Sequence, residues 1–341
     1  MTRPPLLYLP CFDFFDHRQR PHHLLWELSE IGWEVFWCNW PRPGFSGWAD
    51  LSPRFHVLSS VNQVDRNRTY LMWLTHGPYV EQLGQYRLAA VATDIADSTV
   101  EEFAVWAPWN KQRICSGQVV FASSPALVEE ARAILSEEGL ERPVYLVRNA
   151  CDYHLFAKTN CAAPDWLQQL RSGYRRIIGF WGAVASWLDW DLIKATALTC
   201  PDWAFVFVGA VCVDASALGL PGNVILAGPR DYRELPAIAR GFDGAWVPFQ
   251  IRALTRAVNP VKLYEYLAAG LPVVSTPLPD VTTEAESVVA FASRPDATWL
   301  SFERLFRDGE RVIRAGRQLV VDSTWQARAR FISQVLDGLV S

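Results

Sequence analysis

Asn259-Pro260-Val261-Lys262-Leu263-Tyr264-Glu265-Tyr266-Leu267-Ala268-Ala269-Gly270-Leu271-Pro272-Val273-Val274 reads as a short helix with its start and stop in place. Asn259 suits the cap ahead of the first turn, and Pro260 the first helical position, where its missing N–H is not needed. Gly270 offers a left-handed exit and Pro272 forbids continuation. Val273-Val274 then opens a buried strand, so a firmly capped helix feeds a strand. Lys262 breaks the local pattern. It puts a cation in the first turn, where the helix dipole favours anions, and such violations collect at functional sites. A lysine beside the open N–H groups of a helix N-terminus is a seat for phosphate. Glu265 lies one turn on, close to Lys262 on the helix surface. Its carboxylate can accept two hydrogen bonds from a vicinal diol such as that of a ribose. Together the two could hold a nucleoside diphosphate. Alone, they would read as a solvated Lys-Glu pair.

Outward from this segment the C-terminal half alternates strands and helices. Strands are expected at 176–181, 204–208, 224–227, 244–249, 272–275 and 287–291, with helices between them, notably 190–199 and 260–269. The N-terminal half has the same rhythm. A strand at 6–9, a helix over 22–31 closed by Gly32 and a strand at 33–38 make a β-α-β unit, which implies a parallel sheet. Further strands are expected at 70–74, 88–93, 118–122 and 144–147, and Ser124-Pro125 opens a helix. Between the halves, 151–174 is a mixed polar stretch with Asn160, Pro164 and Gly173, read as the domain junction. The last stretch, from Thr324, places Phe331, Ile332, Val335, Leu336 and Leu339 at helical spacing. The expected class is α/β, with two Rossmann-like doubly wound domains facing across a cleft at their strand carboxyl ends, where ligands of such sheets bind. Residues 1–160 form the first domain, 170–323 the second, and the helix 324–341 could cross back to the first.

Composition narrows the function. The 341 residues are half hydrophobic and one fifth charged, enough for two sizeable cores. The formal charge of -4 excludes a generally basic nucleic-acid binder. Sixteen tryptophans are many, and suit either an aromatic core or a ligand cleft. No apolar run is long enough to span a bilayer, and the N-terminal run is too short for a signal-peptide core. Seven scattered cysteines without a C-x-x-C pair suggest reduced thiols and a cytoplasmic setting, and the six histidines form no zinc pattern, so no metal site is expected.

The segment 259–274 resembles the C-terminal donor-binding motif of GT-B-fold glycosyltransferases, specifically the GT4-like group, and the resemblance extends in weaker form over most of the chain. Arg148-Asn149-Ala150-Cys151-Asp152 with Phe156 is similar to the family's N-G-V-D…F linker, with Ala150 in place of glycine. Ile177-Ile178-Gly179-Phe180-Trp181-Gly182, followed by Trp187 and Asp189, resembles the first strand and loop of its nucleotide-binding domain, and Pro201-Asp202-Trp203 with Phe207-Val208-Gly209 the next strand. Gln19-Arg20-Pro21-His22-His23-Leu24 resembles the opening helix of a bacterial polysaccharide-synthesis subgroup that includes teichuronic-acid-type transferases. The resemblance implies transfer of a sugar, with retention and without a metal, from a nucleotide diphosphate sugar to a glycan or glycoconjugate hydroxyl. It implies a ribose contact for Glu265 and diphosphate contacts around Asn259, Pro260, Val261 and Lys262. The chain departs from the family at Ala257, where many members carry a first glutamate, and in the loop from Gly182 to Trp190, which lacks the recurrent Arg and Lys pair. Arg252, Arg256 and Lys262 are expected to supply the missing cations.

Other candidates come from strand ends. Gly182 and Arg230 lie in loops suited to the donor. Asp94 and Asp97 follow an N-terminal-domain strand and could orient an acceptor hydroxyl or take its proton, although Asp97 also suits a helix cap ahead of 100–106. Arg18, Arg20 and His76 are acceptor-side candidates, surface arginines and a structural histidine being the plain alternatives. With Lys262, the two aspartates complete the expected catalytic set. No cofactor is expected beyond the donor, UDP- or GDP-linked. The acceptor is a glycan, a lipid-linked or a small molecule, with peripheral membrane contact conceivable at the inner face. The alternatives are a sugar-nucleotide epimerase of the same fold, which needs Asp94, Asp97 and His76 to converge, and a non-catalytic nucleotide-binding relative.

Overall fold

The computed structural model describes residues 3–158 and 160–340. The chain divides into two compact units, Met1–Arg148 with Trp325–Ser341, and Asn149–Thr324. The boundary falls ahead of the 151–174 stretch that reads as a junction. That stretch holds two short helices instead, and the segment after Arg148 is built into the second unit.

The first unit carries strands β1 (Leu6–Tyr8), β2 (Val35–Cys38), β3 (Trp48–Ser52), β4 (Phe55–Leu58), β5 (Thr69–Leu74), β6 (Arg87–Ile95), β7 (Val119–Ala122) and β8 (Val144–Leu146). Its α-helices in the first stretch of chain are α1 (Arg20–Glu30), α2 (Ala107–Ser116) and α3 (Pro125–Glu137). The strand order is β3-β4-β2-β1-β5-β6-β7-β8, parallel throughout except for the edge pair β3 and β4. β1, β2 and β7 are buried at every position, as strands covered on both faces must be. β3 and β4 escaped the sequence reading, because Pro41, Pro43, Gly44 and Gly47 make the approach to β3 look like loop, and β3 itself is a mostly exposed edge strand.

The second unit carries helices α4 (Tyr153–Phe156) and α5 (Asp165–Arg171), strand β9 (Arg176–Trp181), α6 (Trp190–Thr199), β10 (Trp203–Val208), β11 (Val224–Gly228), α7 (Leu235–Ala239), β12 (Gly244–Val247), α8 (Ala253–Arg256), α9 (Val261–Ala269), β13 (Val273–Ser275), α10 (Pro279–Ala285), β14 (Val289–Phe291) and α11 (Pro295–Val320). Its six strands are all parallel, in the order β11-β10-β9-β12-β13-β14. The chain runs outward one way from β9 through β10 and β11, then returns to the other side of β9 with β12. The order therefore reverses between β9 and β12, the position at which open α/β sheets hold ligands. α11, bent at Gly309 where φ is +39°, packs against α6 and α9.

The chain passes between the units twice, and both crossings are tied into the second unit side by side. The Cys151 N–H donates to the Ser323 carbonyl at 3.1 Å, and Cys151 bridges Thr324. The final helix, α12 (Trp325–Val340), groups with the first unit. There its Trp325 stacks on His23 with ring centroids 4.8 Å apart, Ser333 Oγ accepts from the Trp33 indole N–H at 2.9 Å, and Asp337 pairs with Arg3. Among the described residues no helix is long and apolar enough to cross a membrane.

Two glycines at adjacent strand ends of the second unit set how closely those ends approach. Gly209 has φ +150°, and a Cβ there would stand 1.9 Å from the Gly182 carbonyl oxygen, a backbone atom that cannot swing away. Gly209→Ala is expected to destabilise the protein by about 3 kcal/mol, combining backbone strain with overpacking. A lowered urea midpoint of unfolding reads this, and a midpoint equal to that of the parent would refute the close approach.

Candidate functional site

The site assembles at the carboxyl edge of the second unit's sheet, where β9 and β12 part. The chain leaves β12, passes through α8 and enters α9, so the first turn of α9 presents its N–H groups at that edge. The far end of α9 is held hard. Gly270 adopts φ +79° and closes the helix, as the sequence suggests. Arg317 donates to the carbonyls of Ala268 and Ala269, and Arg240 to that of Ala269. Two guanidinium groups on the C-terminal carbonyls complement the helix dipole and fix the orientation of α9.

At its start, the structure corrects one expectation. Asn259 is not the cap. The helix begins at Val261 with Pro260 in the cap position, and Asn259 lies one residue earlier. Its side chain is a buried clasp instead. Asn259 Oδ1 accepts from the Asn149 N–H at 2.8 Å, its carbonyl accepts from Asn149 Nδ2 at 2.6 Å, and its Nδ2 donates to the Tyr264 hydroxyl and to Asp280. The linker residue Asn149 is thus bolted to the entrance of the helix that carries Lys262 and Glu265.

Lys262, half-buried, reaches across to the end of β9. Its Nζ lies 5.3 Å from the centre of the Phe180 ring and 4.9 Å from that of Phe249. A Cβ at Gly182, where φ is +128°, would come within 3.0 Å of Lys262 Cε. Gly182 is therefore the floor beneath the lysine stem. The loop it opens is pinned from the other side, since the Asp189 N–H donates to the Pro248 carbonyl and the Gln250 N–H to the Trp187 carbonyl.

Glu265 is 4% exposed. The Trp181 indole N–H donates to its Oε2 at 2.7 Å, and the next residue, Tyr266, accepts from the Trp181 backbone N–H through its hydroxyl at 2.9 Å. Burial pushes the Glu265 carboxyl up to about 7, against the hydrogen bond from Trp181, the charge of Lys262 and the Tyr232 side chain, all of which act downward. A carboxyl pushed up this far by burial, one helical turn from a lysine at a switch point, marks a candidate functional site. Trp181 and Tyr266 escaped notice as site residues because aromatic residues on buried elements read as core.

The remaining candidates are placed as follows. Arg252 stands at the start of α8 and Arg256, exposed, at its end, both in the connection that leads into α9. Arg230 is exposed beyond β11 and lies over the Trp166 ring. In the first unit the structure joins two residues that were read separately. Arg20 and Asp94 form a buried ion pair, with side chains 3% and 0% exposed and guanidinium-to-carboxylate distances of 2.9 to 3.1 Å. Arg20 is accordingly neither a surface arginine nor open to a ligand, and the Asp94 carboxylate is occupied by it. Asp97, exposed beyond the end of β6, does not cap a helix, since the next helical turn begins at Glu101 with Val100 ahead of it. His76 lies just beyond β5 against the Tyr79 and Trp106 rings, and burial followed by the charge of Arg113 pushes its imidazole down. Arg18 is exposed. Arg113 had no sequence signal. It is buried beneath these strand ends and donates to the Thr75 carbonyl and the Asn110 side chain. Among the described residues no group of three or more His, Cys, Asp or Glu side chains is gathered as a metal ion would require.

Two mainly parallel sheets in separate units, the second with its order reversed beside the first strand, define the GT-B architecture, and the chain has that fold. Solved structures of this architecture match it along nearly its whole length. Sucrose-phosphate synthase from Thermosynechococcus elongatus superposes with a TM-score of 0.70 at 16% identity, covering 98% of this chain and 99% of that one. The HepE protein of Anabaena, solved in complex with UDP, gives 0.66 at 12% identity, covering 98% and 100%. In sequence, the chain is 38% identical over 144 residues to TuaH of Bacillus subtilis (strain 168), whose glycosyltransferase role in teichuronic acid biosynthesis is itself a provisional assignment. That match takes in 41% of this chain and 36% of TuaH, so the likeness spans little more than a third of the relative. No family model matches the chain.

Proposed function

We propose that the protein is a glycosyltransferase that moves a sugar from a nucleotide diphosphate sugar to a hydroxyl of a glycan or glycoconjugate, with retention and without a metal ion. The observation that carries this reading is the pairing of Lys262 and Glu265 on one turn of α9 at the switch point of the second sheet. The N–H groups of the first turn and the Lys262 ammonium take the diphosphate, and Glu265 takes the ribose diol. Charge builds on the diphosphate as the glycosidic bond breaks, and preorganised donors at that place stabilise it. UDP is the first nucleotide to test, because HepE was solved with UDP and an E. coli structure of the same fold was solved bound with UDP-2-fluoro glucose. On the acceptor side, Asp97, exposed beyond β6, orients the hydroxyl in this reading. The epimerase alternative loses one of its three groups, since Asp94 is sealed against Arg20.

Incubation with UDP- and GDP-sugars tests the reading. Sugar transfer, or slow donor hydrolysis without acceptor, supports it; isomerised donor, or binding without turnover, overturns it. Lys262→Ala is expected to weaken UDP binding by on the order of 1.5–3 kcal/mol, the scale of a charge-assisted hydrogen bond. Calorimetric titration with UDP measures this, and an unchanged affinity would remove Lys262 from the site.

A further inference from the structure

We infer that Trp181 is the positioning residue of the donor site, setting the depth and orientation from which the Glu265 carboxylate meets a ribose; this rests on the reading of Glu265 given above. The geometry begins in the sheet. β9 pairs with β10 along its full length, up to Trp181 against Val208, whereas its pairing with β12 is confined to Ile178 and Gly179. In a parallel ladder, alternate N–H groups face alternate neighbours. The Gly182 N–H donates to Val208 on the β10 side. The Trp181 N–H therefore faces the β12 side, where no strand carbonyl meets it. The Tyr266 hydroxyl accepts it instead, at 2.9 Å. A side chain of α9 thus completes the ladder where the strands diverge. The same tryptophan reaches the preceding residue of α9 through its indole N–H, 2.7 Å from Glu265 Oε2.

One residue of β9 consequently holds two successive residues of α9, by backbone and by side chain. The ring leaves little freedom. It meets Tyr266 edge-on with centroids 4.3 Å apart, lies nearly parallel to Phe156 at 5.9 Å and to Phe242 at 6.3 Å, and is 3% exposed. An indole N–H donates only. It engages one carboxylate oxygen and offers no competing acceptor to a sugar hydroxyl. The carboxylate keeps further lone pairs for the diol, at a fixed angle. A rotating carboxylate would have to be ordered when the nucleotide binds, and preorganisation removes that cost.

The test compares UDP with 2′,3′-dideoxyuridine diphosphate, which lacks the diol. The parent protein is expected to bind UDP on the order of tenfold more tightly than the dideoxy compound, the scale of hydrogen bonds to a charged group. Trp181→Phe keeps a ring and deletes the indole donor. It is expected to lose most of that preference while binding the dideoxy compound as the parent does. The pH at which UDP binding is half-maximal should also move upward, because the lost hydrogen bond favoured the ionised carboxyl. A merely structural role would weaken both ligands alike. Should Trp181→Phe not fold, Tyr266→Phe replaces it. That variant leaves the indole in place, releases the strand end, and is expected to reduce the same preference. A parent without any preference for the diol overturns the ribose reading and this inference with it. A parent that prefers the diol, beside a folded variant that prefers it equally, overturns the role of Trp181 alone.

Discussion

Glu265→Gln is expected to stabilise the folded protein in alkaline solution while weakening its hold on UDP by one to two orders of magnitude, the loss of a charged acceptor for two hydroxyls. The buried carboxyl titrates at about 7 in the folded chain against an ordinary value of 4.5. Between those two values the folded state binds a proton that the unfolded state has released. The stability associated with Glu265 is therefore full below about pH 4.5 and is lost as pH rises through 7, amounting to on the order of 3 kcal/mol. Glutamine cannot ionise and escapes that loss. Melting curves at about pH 4 and 8.5 should show variant and parent close together at the lower pH and the variant ahead at the higher. UDP binding by the parent should run in the opposite direction, strengthening as the carboxyl ionises through about pH 7. A variant that melts below the parent at both pH values and binds UDP as well would remove Glu265 from the site and leave it a plain core residue. The trade has a physical logic, since a group kept under strain for a ligand is relieved by replacement.

Asp94→Asn is expected to cost 3–5 kcal/mol, roughly the scale measured when one partner of a buried ion pair is removed, because Arg20 then stays buried and charged without its counter-ion. Replacing both, Arg20→Met with Asp94→Leu, should restore much of that stability, since apolar pairs of similar volume often match a buried salt bridge. Urea unfolding of the two singles and the double measures the coupling. The double variant also separates two roles. If Asp94 only holds the end of β6 in place, sugar transfer survives in the double. If it takes the acceptor proton, transfer is lost even though the fold recovers. A double no more stable than either single would contradict the ion pair as the source of the effect.

Much of this architecture is legible along the chain. Central strands such as β7 and β10 are short apolar runs bounded by polar turns, and a strand buried on both faces reads that way. The helix α9 announced itself by Pro260 at one end and Gly270 at the other. Where punctuation misled, the cause is local. Asn259 has the chemistry of a cap, but its side chain is drawn off by Asn149 and Asp280, far along the chain, and Pro260 takes its place. The edge strand β3 was hidden because an edge strand half in solvent carries neither a continuous apolar run nor a clean alternation.

The residues proposed to hold the donor are a similar mixture. Lys262 and Glu265 stand three apart on one helix, so helical geometry alone puts them together, and the charge set against the helix dipole marks them in the sequence. The sequence by itself thus determined the alternating α/β plan, the capped helix and the pair it carries, because each is written within a few residues where local sterics and spacing rule. Only the tertiary structure decided that Trp181, across the sheet, grips Glu265, that Asn149 clasps Asn259, and that Arg20 and Asp94 neutralise each other. Those contacts join residues scores of positions apart, through packing and hydrogen bonds that no short-range pattern encodes.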